Sequence, residues 1–67
     1  MCQAKIWLKN GKEEKEIFRD VVQLEINEKE EIVLRFFFEE PKKLKGKIKS
    51  IDFTKGKVVI EVERFPE

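Results

Sequence analysis

A chain of 67 residues with fifteen Lys and Arg against fourteen Asp and Glu carries a net charge of +1. It is expected to form one small domain (residues 1–67) with no overall field to draw it to nucleic acid or an anionic membrane. With no His, no Tyr and a single Cys at position 2, it cannot build an intramolecular disulfide, a zinc finger or a His-based nucleophilic triad within one chain.

Lys and Glu together supply 24 residues, the bias reported for hyperthermophile proteins, while 40% hydrophobic residues with six Phe place the chain among folded domains. Lys5, Lys9 and Lys12 interrupt the first twelve residues, leaving no apolar run of signal-peptide or membrane-helix length, so the protein is expected in the cytoplasm and away from the membrane. A reduced lone Cys fits that compartment.

Ala4, Ile6 and Leu8 alternate with Lys5, Trp7 and Lys9, the period of a half-buried strand. Asn10-Gly11, a dipeptide suited to positive φ at both turn positions, predicts a hairpin running on through residues 12–18. From Glu13 to Ile26 two periods compete: Ile17, Val21 and Leu24 fit a helix, and Val22, Leu24 and Ile26 fit a strand. The favoured reading is a short strand, a turn near Arg19 to Val21, and a strand from Val22 to Asn27, with a helix as the alternative.

After the polar turn of residues 28–31, the branched and aromatic run of residues 32–38 predicts a strand with Ile32, Leu34, Phe36 and Phe38 inward and Val33, Arg35 and Phe37 outward. Glu39-Glu40-Pro41 ends it, because Pro cannot donate to a ladder. Leu44, Gly46 and Ile48 alternate with lysines, but Ile51 and Phe53 fall in the opposite phase, which requires a bulge or bend near Ser50. Thr54-Lys55-Gly56 is a hairpin turn, and Val58, Ile60 and Val62 form the last strand. The fold expected is all-β: a small curled sheet or barrel of five or six strands, SH3-like or OB-like. Its open edges and small core favour a homodimer.

Cys2 is the first candidate for chemistry. If Met1 is removed, the free amine and thiolate of Cys2 close a five-membered chelate ring; if Met1 stays, its amine and the Cys2 amide nitrogen join the thiolate. Nitrogen and sulfur donors in a plane suit Ni(II) or Cu(II), and two chains across a twofold axis complete four ligands without His. The alternative is a terminal Cys with no role.

The opening Met-Cys-Gln-Ala-Lys-Ile-Trp-Leu is joined by Asp20-Val21-Val22 before an acidic and apolar strand, by Leu44-Lys45-Gly46-Lys47-Ile48, by Ile51-Asp52-Phe53 and by Lys57-Val58-Val59-Ile60-Glu61. In this order the blocks resemble the CooT family over nearly the whole chain. The resemblance implies a small cytoplasmic, homodimeric nickel-binding protein that assists nickel insertion into a client such as carbon monoxide dehydrogenase. It also implies that Cys2, the residue after the initiator Met, is the nickel ligand. Many such relatives have been labelled predicted RNA-binding proteins. The opening is similar as well to the HypC family of hydrogenase maturation chaperones, but those usually place Pro soon after the Cys and use a His further on. Lys5 and the lack of His separate this chain from them.

The second candidate is the basic stretch. Residues 41–57 hold seven Lys and one Asp, a local charge of +6 on a remainder of −5. Lys43, Lys45, Lys47 and Lys49, with Trp7 and Phe37 as stacking faces, would make an RNA-binding surface. Against this stand a solvated, edge-protecting Lys face and a packing or dimer-interface role for the two aromatics. The acidic runs Glu13, Glu14, Glu16 and Glu28, Glu30, Glu31 lack the ligand periodicity of a calcium loop and read as solvated turns, and Asp20 reads as a bend residue. No enzyme constellation is present.

Overall fold

Strand periodicity is realised in seven segments from Ala4 to Glu61. The computed structural model describes residues 4–66 and contains β1 (Ala4–Asn10), β2 (Glu13–Val21), β3 (Gln23–Ile26), β4 (Ile32–Arg35), β5 (Lys42–Leu44), β6 (Lys47–Asp52) and β7 (Lys57–Glu61). They form a four-stranded sheet ordered β2-β1-β7-β6 and a three-stranded sheet ordered β3-β4-β5. The architecture is all-β, as expected, with strands rather than a helix across residues 13–26. Among the described residues no helix is long and apolar enough to cross a membrane.

β1 and β2, β3 and β4, β4 and β5, and β6 and β7 pair antiparallel, but β1 and β7 lie side by side in parallel, from Lys5↔Lys57 to Lys9↔Glu61. Backbone bonds from Lys5 N to Gly56 O and from Val62 N to Lys9 O, 2.7 and 2.9 Å, extend this pairing at both ends. The two sheets share one apolar core. Ile6, Leu8, Val21, Ile32, Leu34, Val58, Ile60 and Val62 are buried in it, with Phe18, Leu24, Phe36 and Leu44 packed against them.

The first hairpin closes one residue later than Asn10-Gly11 predicts. Asn10 pairs with Glu13, so Gly11 and Lys12 are the central residues, and only Gly11 has positive φ, the pattern of a type II′ turn. The bend expected at Arg19 to Val21 is a bulge inside β2. Arg19 and Asp20 together oppose Lys5, with Asp20 at φ 61°, and the strand runs on to Val21 before Val22 hands the chain to the second sheet through its bond to Arg35 O. A further register shift at Ile17 lets both Ile17 and Phe18 lean on the core.

Seven strands replace the five or six expected because the basic run is divided. The predicted slip near Ser50 is present as a register shift between Ile48 and Ser50, yet the chain already changes sheet at Lys45-Gly46. β4 stops at Arg35, so Phe38, expected inside, is 97% exposed, whereas Phe36 reaches the core and meets Phe18 at a centroid distance of 6.2 Å. Val33, expected outside, points away from the core but is only 7% exposed, because β4 is the central strand and Glu25 and Lys43 flank it.

Candidate functional site

Cys2, the expected metal ligand, lies outside the described residues. The chain is described from Ala4, which pairs with Val21 at the end of the four-stranded sheet. There a small apolar recess of about 100 Å³ opens between Ala4, Val21, Val22, Leu24 and Val58. Among the described residues, no group of three or more Asp, Glu, His or Cys stands close enough to hold a metal ion.

Four carboxylates of the acidic runs, Glu13, Glu14, Glu16 and Glu31, are engaged instead with neighbouring polar groups. Glu13 lies 3.5 Å from Lys15, Glu14 3.3 Å from Lys57, and Glu16 2.7 Å from Arg19 Nε. The hydrogen bond from Arg19 holds the Glu16 carboxyl below its ordinary value. In the β3–β4 turn, the Asn27 carboxamide oxygen accepts from Lys29 N and Glu31 N while its Nδ2 donates to Glu31 Oε1. That last bond lowers the Glu31 pKa, and Lys43, Lys29 and Lys45 add attraction. Asp52 closes the β6–β7 turn: its Oδ1 accepts from Thr54 N, Thr54 Oγ1 and Lys55 N, and the Thr54 hydroxyl is the main cause of its depressed pKa.

The basic stretch bends around a groove at the opposite end of the four-stranded sheet. One wall is the β5–β6 junction, with Lys43, Lys45 and Lys47; the other is the chain from Glu61 to Pro66; the volume is about 940 Å³. Gly46 holds the walls together at their closest approach, since a Cβ there would stand 2.5 Å from the Glu61 carbonyl oxygen. A lone Gly in a strand pattern is the one sequence signal for such a contact. Arg64 and Phe65, which also line the groove, had no signal in the sequence, because their position follows from β7 pairing with β1, near the other end of the chain.

Three of the four candidate lysines therefore gather, while Lys49 sits on the β6 bulge outside the groove. Trp7 and Phe37 do not join them. Trp7 lies on the outer face of the four-stranded sheet with Lys57 Nζ 4.3 Å above its ring, and Phe37 belongs to the β4–β5 connection, 68% exposed and 6.0 Å from Phe38.

The family model described as CO dehydrogenase accessory protein CooT matches residues 1–61. No curated protein and no solved structure matches the chain. The family is one of accessory proteins rather than catalysts, in keeping with the lack of an enzyme constellation in the sequence. Since the match takes in the Met-Cys opening, the seven strands and the Gly46 contact, the chain belongs to the CooT family of CO dehydrogenase accessory proteins.

Proposed function

We propose that this protein carries nickel for a client metalloenzyme such as carbon monoxide dehydrogenase, holding Ni(II) between two copies of the chain through both Cys2 thiolates and adjacent terminal amine or amide nitrogens. Membership of the CooT family is the observation that carries this reading. The donor chemistry supports it: a chain with one Cys and no His has one thiolate and no imidazole, and pairing two chains doubles the thiolates. Among the described residues the outer strands β2, β6, β3 and β5 each have one edge without a paired strand, and Ile51 and Phe53 near the end of β6 are exposed, surfaces a second copy can cover.

For cargo, reversible holding matters more than strength alone. Thiolate and deprotonated nitrogen compete with protons for the metal, so local acidification or ligand exchange with the client releases it. Titration of Ni(II) into the reduced wild type and Cys2→Ala, followed by the sulfur-to-nickel charge-transfer absorption and by sedimentation, tests the reading. Wild type should develop the band at one nickel per two chains. Equal affinity in both proteins refutes it.

A further inference from the structure

The groove beside Gly46 has a chemistry that the nickel reading leaves unused. Its lining contains four cations, Lys43, Lys45, Lys47 and Arg64, against two carboxylates, Glu61 and Glu63. Among the described residues the close ion pairs are Lys15–Glu13, Arg19–Glu16, Arg35–Glu25 and Lys57–Glu14, so none of the four groove cations is held in one there, while Lys43 and Lys45 attract Glu31 from a greater distance. Beneath this charged rim the lining is apolar, with Leu8 and Val62 buried and Leu44 and Phe65 half-buried.

β5 supplies a third element. Among the described residues it is an outer strand, paired with β4 alone, and its Lys43 and Leu44 line the groove. An extended peptide laid against an outer strand can add to its sheet through main-chain hydrogen bonds.

We propose that this groove docks an extended, acidic segment of a partner protein, with alternate carboxylates meeting the lysines and Arg64, and alternate apolar side chains resting on Leu44, Val62 and Phe65. The apolar lining and the placement of the aromatics favour a peptide over single-stranded nucleic acid. Base stacking needs open ring faces beside the cations. Phe65, the one aromatic of the groove among the described residues, has Lys15 Nζ 5.0 Å over its ring, Trp7 is capped by Lys57, and Phe37 stands on another connection. This docking is independent of the metal, and Cys2→Ala should leave it unchanged.

The probe is a fluorescent peptide of about eight residues alternating Glu and Val, followed by anisotropy at low and moderate salt. Lys43→Glu/Lys45→Glu/Lys47→Glu should weaken binding by about tenfold or more, while Lys42→Glu/Lys49→Glu/Lys55→Glu, which changes net charge equally outside the groove, should weaken it by less than about threefold. A peptide with Ser in place of Val should bind about fivefold less tightly or worse, because the apolar lining is then unused. Amide shifts of Leu44, Gly46 and Val62 should move on titration into the full chain, and melting curves of both triple variants verify that they fold. Equal losses in the two triple variants, indifference to the Val-to-Ser change, or no binding by wild type would overturn the proposal. So would retention of a labelled oligouridylate instead of the peptide, which assigns the groove to nucleic acid, or groove shifts that follow dilution alone, which assign it to a second copy.

Discussion

Gly46 and the Glu61 carbonyl oxygen are so close that a Cβ on Gly46 would stand 2.5 Å away, with Ile60 and Val62 side-chain atoms at 2.9 and 3.0 Å. The obstacle is backbone and core rather than a flexible side chain, so it cannot yield without parting β6 from β7. Gly46→Ala is therefore expected to cost about 1–3 kcal/mol and lower the melting midpoint by roughly 5–20 °C. Gly11→Ala meets no atom within 4 Å and should lose only the left-handed backbone preference at φ +64°, about 1–2 kcal/mol. Thermal melts of the pair separate steric contact from backbone strain; an unaffected Gly46→Ala would mean that the two walls do not touch.

Leu34 in β4 and Phe38 just beyond it should respond in opposite ways. Leu34 is fully buried between the sheets, and Leu34→Ala is expected to cost about 2–5 kcal/mol. A domain of this length has in total roughly 3–10 kcal/mol, so that variant should be largely unfolded in mild urea. Phe38 is almost wholly exposed, and Phe38→Ser should stay within about 0.5 kcal/mol of wild type. A large urea-midpoint loss in Phe38→Ser would place that ring in an interface.

The Asp52 carboxylate gives a pH signature with a definite sign. Its folded pKa is depressed, chiefly by the Thr54 hydroxyl and further by the Thr54 and Lys55 amides, so the unfolded chain takes up the proton first as pH falls. Stability from the charged form is present above the unfolded value of about 3.9 and is lost as pH drops through the lower folded value. Asp52→Asn keeps an acceptor but not the charge; its melting midpoint should lie below that of wild type at pH about 7 and converge with it as pH falls below about 4. A constant difference across that range would mean that shape rather than charge sets the turn.

Local signals in the sequence succeeded where one strand answers to its neighbour. The alternation around Ile6 and Leu8, the turn at Thr54-Lys55-Gly56 and the slip near Ser50 are readable because pleat, turn and bulge are decided within a few residues. Phe38 misled because its strand phase was extended past Arg35, where β4 has already matched the full length of β3. The groove was half legible: its lysines alternate within five residues of the sequence, but Glu61 to Pro66 becomes the facing wall only through the parallel pairing of β7 with β1. Cys2 drew attention as the only thiol and, through the resemblance, as a ligand, and neither route depends on the geometry of the described residues.

Nickel affinity should report the number of chains at the metal. Each thiol that ionises on binding contributes about a tenfold fall in apparent affinity per pH unit below its pKa, near 8.5 for an ordinary Cys. Two Cys2 thiolates on one Ni(II) therefore predict a slope of about 100-fold per unit, whereas one chain acting alone gives about tenfold. Any proton lost by a coordinating amine or amide nitrogen adds to these slopes equally for each chain, so the slope for two chains remains the square of that for one. Competition against a chromogenic chelator between pH about 6.5 and 7.5 supplies the slope, with sedimentation at each pH to count chains. A tenfold slope with a monomeric complex would retain Cys2 as ligand and remove the twofold site; a slope indifferent to Cys2→Ala would remove both.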